Sequence, residues 1–166
     1  MPTSLGYKIL LDGYNIIMRN PSWAHQPLEA SRKLLVSRAA QMKWPVPVEG
    51  ITIIFDAKGS EPTRYRPFEK IVTCFVPDAD KEIQREIREK QPQRPCLLIS
   101  DDAELKSTAK AHGVTIHTVS WFINLAPVSK GNRHPQFKEG GEKISITAAR
   151  KITEELGNYW LRHEKK

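Results

Sequence analysis

Four short apolar runs in this chain each lead into aspartate. The runs cover residues 7–11, 51–55, 72–76 and 96–100, and the acids that follow them are Asp12, Asp56, Asp78 with Asp80, and Asp101 with Asp102. Continuous apolar runs of about five residues are typical of strands whose two faces are both covered, as in a parallel sheet between helices. We therefore predict an α/β fold with a mainly parallel central sheet and helices on both faces.

The segments between these runs predict the remaining elements. Apolar periodicity and capping signals predict helices at 28–43, after Pro77, at 102–111 and at 120–125, and a further strand at 114–119. Residues 13–26 have a mixed pattern, with Trp23 and His25 in a predicted loop, and residues 57–70 are interpreted as a loop. We expect residues 1–128 to form one domain, and residues 129–166 to form a basic flexible segment and a C-terminal helix that docks on the same domain.

The strand-end acids are expected to meet at one edge of the sheet, because the crevice outside the carboxyl ends of parallel strands is the usual ligand site. Carboxylates crowded there repel one another unless a divalent cation binds them. Asp78 suits the N-cap of the following helix, which leaves Asp80 in the first turn to face the crevice. Asp101 and Glu104 have capping-box spacing, yet we prefer Asp101 to Asp102 as the site residue because it adjoins the strand end.

The chain is basic, with a formal net charge of +7 over 166 residues, which indicates either a polyanionic partner or a solubilising surface. The acids that converge within this basic protein favour a polyanionic partner over a merely solubilising surface. They also indicate more than binding, because a protein that only bound nucleic acid would have no reason to direct carboxylates at phosphates. No apolar run approaches the roughly 20 residues of a membrane span, and the N-terminal segment lacks a signal-peptide pattern. Cys74 and Cys96 fall in or beside predicted strands, so we expect buried free thiols in a cytoplasmic protein.

Short motifs in order along the chain resemble one known family. They are 9–15 (Ile-Leu-Leu-Asp-Gly-Tyr-Asn), 28–32 (Leu-Glu-Ala-Ser-Arg), 53–57 (Ile-Ile-Phe-Asp-Ala), 79–80 (Ala-Asp) and 99–101 (Ile-Ser-Asp). In this order they resemble the YacP-like branch of the NYN domains, within the wider PIN-like nuclease fold. The resemblance implies a three-layer α/β/α PIN-like fold and a metal-dependent RNA endonuclease that hydrolyses phosphodiester bonds.

The resemblance also implies the residues of the site. The catalytic acids and metal ligands are matched by Asp12, Asp56, Asp80 and Asp101, with Asp102 as the second choice for the last, and their polar helper is matched by Asn15. The implied cofactor is Mg²⁺ or Mn²⁺, which activates water and neutralises charge at the scissile phosphate. The implied partner is RNA, either mRNA or ribosome-associated RNA.

Basic and aromatic side chains near the predicted site are candidates for RNA contacts. Lys58, Arg64 and Arg66, together with the basic segment 129–166, would hold the phosphate backbone in a salt-sensitive way. A base would stack on one of three aromatic residues, which are Tyr14, Trp23 and Tyr65.

Two other functions use a similar arrangement of acids. A non-catalytic RNA- or ribosome-binding module on the same fold is the main alternative, although the presence of acids after all four runs favours the enzyme. A phosphorelay receiver domain also carries strand-end acids, but it needs a paired acid near the first strand and a lysine after the last. Here residues 10–12 are Leu-Leu-Asp and the last predicted strand is followed by Ser-Trp, which disfavours that class. The number of metal ions and the oligomeric state stay open.

Overall fold

The computed structural model describes residues 5–90 and 93–128 of the chain. In chain order the strands are β1 (Tyr7–Asp12), β2 (Val48–Asp56), β3 (Thr63–Phe68), β4 (Ile71–Val76), β5 (Cys96–Ile99) and β6 (Thr115–His117). The helices are α1 (Gly13–Arg19), α2 (Pro21–Ala24), α3 (Leu28–Gln41), α4 (Ala79–Arg88), α5 (Ala103–Ala111) and α6 (Val119–Asn124). The flexible segment and docking helix predicted within residues 129–166 lie outside the described residues.

The six strands form one sheet in the order β3-β4-β2-β1-β5-β6. Every neighbouring pair is parallel except β3 with β4, which is antiparallel. β1 lies at the centre, where Leu10 is opposite Thr52 of β2 and Leu98 of β5. The predicted α/β class with a mainly parallel central sheet is confirmed, and the carboxyl ends of β1, β2, β4 and β5 share one edge.

Both faces of the sheet are covered, as the continuous apolar runs predict. On one face, Ile9 and Leu11 of β1 join a buried cluster with side chains of α1, α3 and α6. On the other face, Leu10 joins a second buried cluster with Ile83 of α4 and Leu105 of α5. Successive residues of one strand therefore enter different cores, because strand side chains alternate between the two faces. The result is a three-layer α/β/α arrangement.

The first departure from the sequence interpretation is within residues 13–26, where α1 forms in the segment of mixed pattern and Trp23 lies in the short helix α2 instead of a loop. Helix α1 begins directly after β1, and the close approach of its first residue to Phe55 of β2 requires Gly13. A Cβ atom at this position would lie 2.4 Å from the ring of Phe55, which is far inside normal contact. The seven residues of α1 are too few for helical periodicity to be recognised in the sequence.

The second departure is at residues 57–70, where the predicted loop is also wrong, because β3 forms there. This strand contains Arg64, Arg66 and Pro67, which are unusual in a central strand but acceptable at an edge. It is held to β4 by an antiparallel ladder and by the ring of Tyr65, which stacks on Phe75 with 6.2 Å between centroids.

The predicted helices at 28–43 and 102–111 and the strand at 114–119 are present with shorter bounds. On α3, Leu35 and Ala39 are buried, whereas Leu28 at the first turn is 46% exposed. Cys74 and Cys96 are buried free thiols, as expected. Within residues 5–90 and 93–128, no helix has the length and apolarity that a membrane crossing requires.

Candidate functional site

Four aspartates line one cleft at the carboxyl edge of the sheet, which we call the acidic cleft. Asp12 ends β1, Asp56 ends β2, Asp80 lies in the first turn of α4, and Asp102 is the N-cap residue of α5. The cleft has a volume of about 540 Å³, and its other lining residues are Ala79 of α4 and Tyr14, Asn15, Met18 and Arg19 of α1. Strands adjacent in the sheet thus deliver acids that are far apart in the sequence.

Asp12 is the most deeply placed of these acids, with only 7% of its surface exposed. Its Oδ2 atom accepts a hydrogen bond from the Ser100 hydroxyl at 2.9 Å. The pKa of Asp12 is raised from 3.8 to about 6, mainly by burial and in smaller part by the charges of Asp80 and Asp102, against the lowering effect of the Ser100 hydrogen bond. The carboxylate is therefore held in an environment that disfavours its own negative charge.

Two neighbouring acids of the cleft, Asp80 and Asp56, are also in unfavourable environments. Burial raises the pKa of Asp80, and the charge of Asp102 is the next cause, followed by the charges of other nearby acids that include Asp56. In the described part of the chain, the buried Oδ1 atom of Asp56 has no hydrogen-bond partner. A buried polar atom without a partner is costly, so the floor of the acidic cleft holds both uncompensated charge and an unsatisfied acceptor.

The suitability of the cleft for a metal ion depends on chemistry and on distance. The four carboxylates are oxygen donors of the kind that Mg²⁺ and Mn²⁺ prefer, and the Asp56 oxygen is free to serve. In the conformation shown, however, no three Asp, Glu, His or Cys side chains of the described residues are gathered closely enough to hold a metal ion. The chemistry of these oxygen donors fits a hard cation. For several of the carboxylates to bind one cation together, their side chains would have to rotate toward one another.

The side chains of Asp101 and Asp102 point in different directions. The sequence favours Asp101 as the site residue, but the structure places Asp102 in the cleft. Asp102 lines the acidic cleft, where it caps α5 by accepting the Leu105 N–H at 2.9 Å. Asp101 points toward α6, where its carboxylate accepts the Val119 N–H at 3.1 Å and lies 3.5 Å from the Arg19 guanidinium. The second choice, Asp102, is therefore the acid that the structure places with Asp12, Asp56 and Asp80.

Asn15 joins α1 to the loop between β5 and α5. Its Oδ1 atom accepts the backbone N–H of Asp101 at 3.0 Å. In the same loop, Ser100 is fully buried. Its hydroxyl oxygen accepts a hydrogen bond from the Asp102 N–H at 3.1 Å, and its O–H donates one to the Asp12 carboxylate. Two short polar side chains therefore set the position of the loop that brings Asp102 to the cleft.

Of the three aromatic candidates, only Tyr14 lies in the acidic cleft. Its ring packs on Phe55 with 5.1 Å between centroids, and its hydroxyl oxygen accepts a hydrogen bond from Arg32 Nε at 2.9 Å. Tyr65 is stacked on Phe75 in the edge strand, as described above. Trp23 lines a small groove with side chains of α3 and with Pro127.

The three predicted phosphate contacts also separate. Lys58 is exposed in the turn that follows Asp56. Arg64 binds two acids of α4, with its Nη2 atom 3.0 Å from Glu82 and 2.9 Å from Glu86. Arg66 lines a groove formed with the first residues of β1, β2 and β5, at the opposite edge of the sheet from the acidic cleft.

The arrangement of a parallel sheet with strand-end acids agrees with a comparison against known families. A family model described as the YacP-like NYN domain matches residues 9–163. The chain belongs to this family. NYN domains are generally nucleases. A comparison with curated protein sequences gives no match.

Solved structures similar to this NYN domain support the fold. The crystal structure of Rae1 (YacP) from Bacillus subtilis, in a tryptophan-to-leucine variant, is similar with a TM-score of 0.55 and 16% identity, covering 70% of this chain and 72% of that chain. The crystal structure of Rae1 (YacP) without that variant gives a TM-score of 0.51 and 16% identity, covering 69% and 70%. At this identity the similarity concerns the fold alone.

Two residues that line the cleft of this NYN domain, Met18 and Arg19, are not identified from the sequence, nor is the buried Ser100 that supports it. Ser100 was assigned only as the end of an apolar run, although its place between the strand and Asp101 is a signal for a polar contact. Met18, with 65% of its surface exposed, and Arg19 lie in α1, whose seven residues show no recognisable helical period in the sequence. Once α1 is recognised as a helix, the four-residue spacing of Tyr14 and Met18 places both on one face.

Proposed function

We propose that this NYN domain is a metal-dependent RNA endonuclease that hydrolyses phosphodiester bonds at the acidic cleft. One observation carries the proposal: four aspartates from four different elements converge on one cleft, where burial and, after it, the charges of the neighbouring acids raise the pKa of Asp12 and Asp80. Converging like charges weaken a fold unless they serve a ligand, because each must be desolvated against the others. Membership of a family that generally consists of nucleases supports the same reaction class.

The proposed cofactor is Mg²⁺ or Mn²⁺, held by Asp12, Asp56, Asp80 and Asp102. These residues differ from the set expected from sequence in one member, since Asp102 takes the place of Asp101. When bound, such a cation lowers the pKa of a water molecule and offsets charge on the scissile phosphate. The buried Oδ1 atom of Asp56, which lacks a partner among the described residues, supports a role as ligand.

The chain's own residues then orient the substrate and the acids. The Ser100 hydroxyl holds the carboxylate of Asp12 and the backbone of Asp102 in one arrangement. Asn15 anchors the same loop through the Asp101 N–H. Asp101 acts as a positioning residue, because its carboxylate binds the first turn of α6. The ring of Tyr14 provides an aromatic wall on which a base can stack.

RNA is the proposed partner, in the form of mRNA or ribosome-associated RNA. The net charge of +7 favours a polyanion over a neutral or acidic substrate. Arg64 is engaged with Glu82 and Glu86, so its proposed role in gripping RNA is replaced by one in holding β3 to α4. Lys58, exposed in the turn that follows Asp56, remains a proposed phosphate contact.

A second function, a non-catalytic RNA- or ribosome-binding module, is favoured by one observation. In the described residues, no three potential ligands are gathered closely enough for a metal ion in the conformation shown. A site that no longer hydrolyses RNA would show the same separation between its carboxylates. The two proposals differ in whether the four carboxylates close around a cation.

The experiment that separates them is cleavage of a mixed pool of single-stranded and structured RNA with Mn²⁺, with and without EDTA. Asp56→Asn is compared with Asp78→Asn, a matched substitution at the exposed N-cap of α4, where Asn also caps well. We expect cleavage by the wild type and by Asp78→Asn, and none with EDTA or with Asp56→Asn. Intact RNA in every reaction, together with salt-sensitive RNA binding, would support the binding module instead.

A further inference from the structure

A second groove adjoins the acidic cleft, and the two share one residue. This groove, which we call the α6 groove, has a volume of about 380 Å³, and its lining residues are Arg19, Pro21, Asp101, Val119, Ser120, Ile123 and Asn124. Arg19 is also a lining residue of the acidic cleft. Arg19 is the last residue of α1. Because it lines both depressions, it lies at the junction between them.

The electrostatic character of the two depressions differs. The lining of the acidic cleft has four carboxylates, and Arg19 is its only cation among the described residues. In the α6 groove the one acid is Asp101, whose carboxylate is already engaged by the Val119 N–H and by Arg19. The remaining polar residues of that lining, Ser120 and Asn124, are neutral. A phosphodiester chain leaving the acidic cleft thus meets less repulsion along the α6 groove.

Arg19 is available to a phosphate. Its side chain is 54% exposed, and its ion pair with Asp101 has an N–O distance of 3.5 Å, which is long for a charge-assisted hydrogen bond. Asp101 is partly buried, but the guanidinium end of the pair is open to solvent, where ion pairs contribute little, so a phosphate can compete for Arg19. The planar guanidinium also matches the two oxygens of a phosphate in a bidentate way. By contrast, Arg64 has two close carboxylate partners.

We propose that Arg19 binds the phosphate next to the scissile one and directs the flanking nucleotides of the substrate into the α6 groove. This inference rests on the proposed nuclease function and adds to it a second subsite, specific for a polynucleotide that extends past the cleavage point. Asp101 holds Arg19 at the junction before the substrate binds. The subsite makes the enzyme favour long RNA over short fragments, because only a long substrate occupies both depressions.

The test compares cleavage of a single-stranded RNA of about 12 nucleotides with that of one of about 3 nucleotides, under Mn²⁺ and at several salt concentrations. We expect Arg19→Ala to lower kcat/KM on the long RNA by about tenfold, mainly through KM, and to reduce the salt dependence of binding by about one charge. On the short RNA we expect a loss several-fold smaller. The matched control is Arg88→Ala, an exposed arginine about 12 Å along α4 from its cleft end.

A second variant tests the groove without changing Arg19. Ser120→Glu places a negative charge in the α6 groove, on an exposed residue, and we expect it to weaken cleavage of the long RNA more than that of the short RNA. Equal losses on both lengths, or no loss for either variant, would overturn the inference while leaving the nuclease proposal intact. Failure of the wild type to cut or bind either RNA would instead refute the proposed function, and the inference with it.

Discussion

Removing the charge of Asp12 should make the protein more stable while abolishing its proposed activity. The Asp12 carboxylate is 7% exposed, and its pKa in the folded chain is about 6, against an ordinary value of 3.8. At about 1.4 kcal/mol for each pH unit, the difference corresponds to about 3 kcal/mol lost on folding the charged form. Asp12→Asn removes this cost and keeps an oxygen that accepts the Ser100 hydroxyl, so we expect a net gain of about 2–3 kcal/mol at neutral pH.

The pH dependence gives the prediction its sign. Because the folded-state pKa is the higher one, the folded chain binds an extra proton between pH 3.8 and about 6. The wild type therefore loses stability as the pH rises through this window and stays destabilised above it. The amide of Asp12→Asn has no such titration. The advantage of the variant should be near zero below pH 3.8 and reach its full size above pH 6.

Urea unfolding measured without divalent metal, across this pH range, tests the prediction. Asp78→Asn is the matched control and should behave oppositely, because the Lys81 N–H holds the pKa of Asp78 below its ordinary value. In that variant the lost charge was favourable, so no gain in stability is expected. An Asp12→Asn variant that is no more stable than the wild type at neutral pH, or whose advantage does not change with pH, would refute the reasoning.

Three further predictions follow from the same contacts. Gly13→Ala should lower the free energy of unfolding by about 1–3 kcal/mol in urea titrations, because its Cβ would lie 2.4 Å from the Phe55 ring. Ser100→Ala removes a hydrogen bond that lowers the pKa of Asp12, so the acid limb of a pH–rate profile should move to higher pH, and a profile that does not move would contradict this. Mn²⁺ at about 100 times its Kd should stabilise the wild type by about 2.7 kcal/mol, and Asp56→Asn by less, in thermal unfolding followed by circular dichroism.

The central sheet could be predicted because its signal is local and repeated. Each of β1, β2, β4 and β5 is a continuous apolar run, and such runs arise when both faces of a strand are covered. The edge strand β3 lacks this signal because one side of an edge is open to solvent. Its charged residues and Pro67 resemble a loop until the antiparallel ladder with β4 is known.

The candidate site was predictable only in part, because its finer geometry depends on contacts between distant residues. Asp12 and Asp56 follow from the strand ends alone. The choice between Asp101 and Asp102 does not, since it depends on where α5 begins and on the hydrogen bond from the Asp101 N–H to Asn15. Likewise, a basic residue such as Arg64 cannot be assigned to RNA or to an internal ion pair until its neighbours are known.

The two outer strands of the sheet have a consequence for how the protein behaves at high concentration. β3 carries Arg64, Arg66 and Pro67, and its register with β4 is irregular between Tyr65 and Phe68. β6, at the other edge, has only three residues. Charges, proline, irregular register and short length each prevent a foreign strand from adding to a sheet. The central strands are strongly apolar, but among residues 5–90 and 93–128 neither border of the sheet offers a long, regular template, so we expect this sheet to resist edge-to-edge aggregation.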